Sequence, residues 1–441
     1  MVKLRFAPSP TGNLHVGNFR TALINFLFTQ KYNGHFLLRI DDTDVERSKV
    51  EFEKSIKEDL SWAGLNWDSL VKQSDRLSRY NNVLESLIEK ELVYPCFETP
   101  EELALKRKSQ LSSGKPPVYD RSSLKLSLKD IEDFKSQGRK PHYRFLLKQE
   151  TVFWNDMVRG DSKYNMGNIS DPIIVREDGR FIYTLASVID DIDLNISHII
   201  RGEDHVTNSA AQIQIFNSMG ANVPTMGHLS LMTDIKGEGL SKRTGGISIK
   251  DLRKEEIESL SLNSYLSLAG TSKNITLKEN LKEIISDFEI TNFNRAPTKF
   301  NYNDLKSLNL KYIQKLDYDE LKLKFSYHKF KLEENVWHLI RTNVSSLNEI
   351  QEWEEVIYGK LKETKIDINL KKEFLKYLPN GDFDDDTWKN WTNNLKENCD
   401  MNKGEIFKLL RIALTGFRAG PEMSSLIIIL GKEKVLERLN N

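Results

Sequence analysis

Apolar positions open the chain with a short run, residues 3–7, that reads as a strand closed by Pro8 and Pro10. Gly12 and Asn13 continue the turn. Over residues 17–32, Phe19, Leu23, Phe26 and Leu27 recur at helical spacing, and Asn33 with Gly34 ends the pattern. Residues 36–40 form a second apolar strand that runs straight into Asp41, Asp42 and Asp44. Strand, loop, helix, strand is the opening of a parallel nucleotide-binding sheet, which places ligands beyond the carboxyl ends of its strands. Residues 8–17 and 41–44 fall there. Residues 50–92 read as helical, and the polar, Lys- and Ser-rich stretch 100–140 reads as an insertion outside the sheet core. Residues 181–191 read as a strand and 210–219 as an amphipathic helix. From about residue 250, leucine- and lysine-rich helical patterns dominate to the end.

Composition bounds the possibilities. A chain of 441 residues is too long for one core and predicts two to four domains. Residues 1–10 read as a first strand, not a signal peptide, and no apolar run approaches the ~18 residues of a membrane span, so no membrane partner is expected. The two cysteines, Cys96 and Cys399, make no disulfide framework, which fits a reducing, cytoplasmic setting. Formal net charge is +0, so any nucleic-acid contact must use local basic patches.

Four segments carry candidate chemistry. In Pro8-Ser9-Pro10-Thr11-Gly12-Asn13-Leu14-His15-Val16-Gly17, a tight turn delivers backbone N–H groups and His15 to the positive end of a helix, where an anion is stabilised. Gly17 has no side chain to keep an adenine ring away. His15 can donate to a phosphate oxygen as charge develops on it. A lone His-x-Gly would be only a turn ahead of a helix. Next, Arg39-Ile40-Asp41-Asp42-Thr43-Asp44 gathers three carboxylates that need a cation, either a substrate amino group or a metal, unless the turn is merely solvated. Third, Arg5 and Arg201 are candidate cations, since arginine is suited to bidentate carboxylate binding, and Tyr183 on the residues alone reads as a core packing residue. Fourth, Gly239-Leu240-Ser241-Lys242-Arg243, set among Gly237, Gly245 and Gly246, suits a loop that closes over a triphosphate with Lys242 as a point charge.

These segments resemble the glutamyl branch of the class I aminoacyl-tRNA synthetases, whose first motif is Pro-Ser-Pro-Thr-Gly-x-Leu-His-x-Gly. The chain departs from that pattern in three places. Asn18 stands where the class often has histidine, Asp41 where the branch usually has glutamate, and Gly239 where the second motif begins with lysine. The resemblance implies an α/β protein with a Rossmann-like parallel-sheet catalytic domain and an all-α C-terminal anticodon-binding domain. It divides the chain into catalytic segments 1–95 and 181–230, an acceptor-binding insertion 96–180, a stem-contact region 231–312 and an anticodon domain 313–441. It implies ligation of L-glutamate to tRNA(Glu) through glutamyl-adenylate, with tRNA(Gln) as an alternative acceptor. A simple adenylyltransferase and a non-catalytic RNA-binding relative are more distant alternatives. By resemblance His15 and Lys242 are catalytic. Pro8, Ser9, Pro10, Thr11, Gly12, His15, Gly17, Asn18, Ser241, Lys242 and Arg243 bind ATP, which brings Mg2+. Arg5, Ala7, Ser9, Asp41, Tyr183 and Arg201 bind glutamate. Some relatives hold zinc in the insertion through Cys-x-Cys; here that stretch is Cys96-Phe97-Glu98, so no zinc is expected. A monomer is expected.

Overall fold

The computed structural model describes every residue except 115, 241–246, 326–330, 362, 363, 365 and 441. It divides into two compact units, residues 1–255 with 259–302, and residues 256–258 with 303–441.

In the first unit the opening pattern folds as its periodicity directs. β1 (Lys3–Phe6), α1 (Val16–Lys31) and β2 (His35–Ile40) follow one another. β1 and β2 pair in parallel, Lys3 opposite His35 and Phe6 opposite Leu38. α1 buries Phe19, Leu23, Phe26 and Leu27 together with Ala22 and Ile24, so nearly its whole girth meets protein. α2 (Val50–Trp62) leads to β3 (Ser69–Lys72), which adds to β2 in parallel. α3 (Leu77–Glu89) then reaches β4 (Val93–Cys96). The insertion carries α4 (Pro100–Ser112), α5 (Leu128–Ser136), β5 (His142–Phe145), the hairpin β6 (Thr151–Asp156) and β7 (Gly160–Asn165), and β8 (Ile173–Val175). β4, β5 and β8 make an antiparallel sheet. α6 (Tyr183–Asp193), β9 (His198–Gly202), α7 (Val206–Ser218) and β10 (Thr225–Leu229) return to the catalytic layers. β9, β10 and β6 are parallel, and the Ser197 amide donates to the Lys3 carbonyl at 3.0 Å, which joins this sheet to β1. The fold is the expected Rossmann-like class.

Two local expectations are corrected. Residues 181–191 do not form a strand: Tyr183–Asp193 is a helix. Leu185, Ala186, Val188 and Ile189 follow helical spacing, but burial on every side hides the period. Residues 50–92 are not continuously helical. Gly64, at φ +76, ends the chain's first helical stretch there, and the half-exposed β3 follows.

Four short elements, β11 (Met232–Thr233), α8 (Ile249–Lys254), α9 (Ser259–Leu268) and α10 (Leu281–Asp287), precede β12 (Thr298–Lys299), the partner of β11. Among the described residues the second unit is all helix: α11 (Tyr302–Lys315), α12 (Tyr318–Lys324), α13 (Glu334–Ile340), α14 (Leu347–Tyr358), α15 (Ile368–Lys376), α16 (Thr387–Asn398), α17 (Lys403–Thr415) and α18 (Met423–Asn440), the last broken at Gly431. Its core buries Trp337, Phe374 and Trp391. Both indole N–H groups are satisfied, Trp337 by the Leu316 carbonyl and Trp391 by that of Phe374. Among the described residues no helix is long and apolar enough to cross a membrane.

Candidate active site

A cavity of about 950 Å³ opens at the carboxyl ends of β1, β2 and β9. Of the sequence candidates, Ala7, Pro8, Ser9, Thr11, His15, Gly17 and Asn18 line it from the first turn. Arg5, Asp41, Tyr183 and Arg201 line it from the sheet side. Pro10 and Gly12 are buried in the turn and do not line it. Ser241, Lys242 and Arg243 lie outside the described residues.

His15 is the N-cap of α1. Its Nδ1 accepts from the amides of Gly17 (3.1 Å) and Asn18 (3.3 Å). In the neutral ring the proton must then sit on Nε2, so the cap that starts the helix also fixes a donor tautomer in a cavity-lining side chain. A Cβ on Gly17 would come within 3.1 Å of the His15 ring. A side chain at position 17 would thus crowd the ring. The described residues flanking 241–246 reach the same place. Leu240 lines the cavity, and the Ile247 carbonyl accepts from the Val16 amide while the Leu14 carbonyl accepts from Ile249.

The carboxylate cluster meets the protein's own cations. Asp41 takes two hydrogen bonds from Arg39, at 2.7 and 3.1 Å. Asp44 pairs with Arg47 and Arg180, and Asp42 accepts from the amide and hydroxyl of Ser74. Burial pushes the Asp41 carboxyl up to about 6, against the pull of Arg39. Arg39 is itself buried; desolvation lowers its pKa, but Asp41, Asp191 and Asp190 more than reverse that. Arg5 is tied to Asp191 at 3.0 Å, and Asp191 also accepts from Arg39 at 2.8 Å.

Arg201 is different. It is 9% exposed and, among the described residues, makes no ion pair with a carboxylate. Its partners are the neutral Ser209 Oγ (2.6 Å), Gln212 Oε1 (2.7 Å) and, at 3.5 Å, His228 Nε2. Burial draws its pKa down to about 10, so it remains charged near neutrality. A buried guanidinium with its charge uncancelled is a standing demand for an anion. Nearby, the Tyr183 hydroxyl lies 3.4 Å from His205 Nδ1. Burial raises the Tyr183 pKa; burial and then Arg201 lower that of His205, so the imidazole is favoured neutral.

Sequence motifs did not mark the set Asp190, Asp191 and Ser187. The acidic pair inside the apolar run of α6 was its one visible signal. In the insertion, Cys96, Glu98 and His142 bring potential metal-binding atoms within 4.8 Å of one another. A closed structural zinc site takes four ligands. Glu98 is already engaged by the hydroxyls of Tyr119, Ser122 and Ser123 and by Lys106.

The helical unit has its own cavity, about 630 Å³, between α16, α17 and the start of α18. Trp388 and Phe407 line it with Lys389, Lys408, Arg411 and Arg418.

Residues 1–315 match the family model for the catalytic domain of class I tRNA synthetases (E and Q), and residues 329–441 match an anticodon binding domain. The chain is 46% identical over 444 residues to glutamate–tRNA ligase 1 of Rickettsia felis, covering 99% of this chain and 98% of that protein. It is 45% identical over 454 residues to glutamate–tRNA ligase 2 of Bartonella bacilliformis, with both chains covered completely. The crystal structure of a glutamate tRNA ligase from Elizabethkingia meningosepticum, in complex with its amino acid, superposes with a TM-score of 0.83 at 26% identity. That match covers 100% of this chain and 98% of the other.

Proposed function

Because the chain belongs to the glutamate–tRNA ligases of the class I aminoacyl-tRNA synthetases, we propose that it joins L-glutamate to tRNA(Glu) in two steps through glutamyl-adenylate. In the first step the glutamate α-carboxylate attacks the α-phosphorus of ATP, and the bond to pyrophosphate breaks. In the second, a terminal ribose hydroxyl of tRNA attacks the anhydride carbonyl and AMP leaves. No enzyme nucleophile is required, so the protein contributes positioning and charge stabilisation.

The observation that carries this reading is the uncompensated Arg201 in the cavity that His15 also lines. Arg201 takes the α-carboxylate. Arg5 and the Tyr183 hydroxyl take the side-chain carboxylate, and Asp41, steadied by Arg39, takes the α-amino group. Ala7 and Ser9 complete the glutamate site. His15 donates from Nε2 to a phosphate oxygen. The nearness of Leu240 and Ile247 to the His15 turn supports Lys242 as the charge that follows the departing pyrophosphate, with Ser241 and Arg243 beside it. Gly239 removes one lysine from that loop, and Lys236 or Arg243 supplies the charge instead. Asp41 and Asp44 are already bound to arginines, which fits a Mg2+ ion held by phosphate and water rather than by a protein cage. Such an ion would neutralise triphosphate charge. No structural zinc forms part of this reading.

In the helical unit, aromatic faces beside four cations suit unstacked bases and their phosphates, which supports tRNA contact there. The division into segments 1–95 with 181–230, 96–180, 231–312 and 313–441, a monomeric state and a cytoplasmic location belong to the same proposal. Charging purified tRNA(Glu) and tRNA(Gln) with labelled glutamate tests it. We expect tRNA(Glu) to be charged and both His15→Ala and Lys242→Ala to cut activation sharply. Charging of tRNA(Gln) alone would replace the acceptor, and near-normal turnover in both variants would refute the assignment.

A further inference from the structure

Behind Arg201 runs a chain of buried hydrogen bonds that does not line the cavity. Ser209 and His228 are 0% exposed and Asp156 is 2% exposed. The Asp156 carboxylate accepts from His228 Nδ1 at 2.5 Å and from the His228 amide at 3.0 Å. His228 Nδ1 therefore carries a proton, and Nε2 presents a lone pair. Ser209 Oγ lies 2.7 Å from that nitrogen and 3.1 Å from the His205 carbonyl. Its single hydroxyl proton goes to the closer, better acceptor. The oxygen's lone pairs are then turned to the Arg201 Nη2, 2.6 Å away.

The connectivity is that of a hydrolase triad, but its hydroxyl points at a guanidinium and meets no cavity, so a nucleophilic role has no substrate access. The chain has another use. It spans β6, β10, α7 and β9 and ends on a side chain at the site. Asp156 is ionised: burial would raise its pKa, but the bonds from His228 and from the Arg159 and His228 amides bring it to about 2. Its negative charge is kept one imidazole away from Arg201. A carboxylate placed directly on Arg201 would hold it equally well and cancel its charge. The neutral relay orients the guanidinium and leaves that charge for the guest.

We propose that Ser209, His228 and Asp156 are positioning residues that aim Arg201 at the glutamate carboxylate without neutralising it. This rests on the reading of Arg201 as a glutamate-binding residue. It is tested by ATP–pyrophosphate exchange with tRNA(Glu) present, measuring KM for glutamate, KM for ATP and kcat in the wild type, Ser209→Ala, Ser209→Cys and Asp156→Asn. Loss of one charge-assisted hydrogen bond corresponds to about a tenfold change. We expect KM for glutamate to rise about tenfold, with kcat and KM for ATP within about twofold of wild type. Any one variant that folds decides the question. KM for glutamate within about twofold of wild type would overturn the proposal, as would parallel rises in both KM values, which would mark general loosening. If the wild type itself shows no glutamate-dependent exchange, the parent reading fails and not the relay alone.

Discussion

On the proposed reading His15 does two jobs with two nitrogens, and a pair of substitutions separates them. Nδ1 caps α1 by accepting from the Gly17 and Asn18 amides. Nε2 is the proposed phosphate donor. His15→Ala removes both. Losing an N-cap costs about 1 kcal/mol, which lowers the melting temperature of a domain this size by about 2 °C. Against a total stability of roughly 5–15 kcal/mol, that leaves the enzyme essentially all folded at 25 °C. Losing one donor to developing charge costs about 2.7–4 kcal/mol of transition-state stabilisation, or about 10²–10³ in rate. His15→Asn restores the cap, since the asparagine Oδ1 stands near the position of Nδ1 and asparagine is among the best N-cap residues. It cannot reach the position of Nε2. His15→Asn should therefore melt within about 1 °C of wild type yet stay about 10²–10³-fold slow in ATP–pyrophosphate exchange with tRNA present. If His15→Asn recovered most of the activity, capping alone would explain His15, and the donor role would be refuted.

Gly17→Ala should act through the same ring. Its Cβ would lie 3.1 Å from His15 Cε1 and 3.2 Å from Nδ1. The ring must give by a few tenths of an ångström, which loosens its hold on the cap, so exchange should fall about tenfold, and the double variant with His15→Ala should be little slower than His15→Ala alone; additive losses would contradict the shared cause. Acid sensitivity should trace in part to Glu98. Burial would raise its pKa, but the hydroxyls of Tyr119, Ser123 and Ser122 hold it at about 2, against an ordinary 4.5. A depressed carboxylate contributes stability that is present above pH 4.5 and lost as pH falls towards 2, roughly 3 kcal/mol in all. Glu98→Gln should flatten the denaturant-measured stability profile between pH 5 and pH 2 by about that amount; parallel profiles for the two proteins would remove Glu98 from the account.

The parts of the site legible in the sequence are those whose chemistry is local. The turn over residues 8–17 announces itself because prolines, glycines and a helix-start histidine sit within ten positions, and the structure makes one cavity wall of most of them. Arg5 and Arg201 were visible as candidates because arginine suits carboxylate binding and Arg5 immediately precedes the first turn. Their partners were not. Asp191 meets Arg5 across 186 positions of sequence, and His228 meets Asp156 across 72. No periodicity encodes such pairings. The misreading of α6 has a related cause, since a helix buried all round loses the polar face that would show its period. The edge strand β3 has only four residues, half-exposed, too short to stand out from flanking helices.

The same distant pairs decide which arginine is left for a guest. Arg5, Arg39 and Arg76 stand against Asp41, Asp190 and Asp191, three cations to three anions, linked through Arg5–Asp191, Arg39–Asp191, Arg39–Asp41 and Arg76–Asp190. Within that lattice each buried charge is answered, so it can be desolvated without the several kcal/mol that a lone ion costs. Arg201 stands outside it, on β9, with three neutral acceptors. A carboxylate entering the cavity therefore displaces no carboxylate of the described residues from Arg201, whereas at Arg5 it shares a cation already committed to Asp191. On the proposed reading the guest's strongest electrostatic gain is at Arg201, and Arg5 contributes geometry more than net charge. On the proposed glutamate reading, discrimination at the second carboxylate then depends on how the neutral donors around it, Tyr183 above all, are aimed, because a balanced Arg5–Asp191 pair offers little field to tell a carboxylate from an amide.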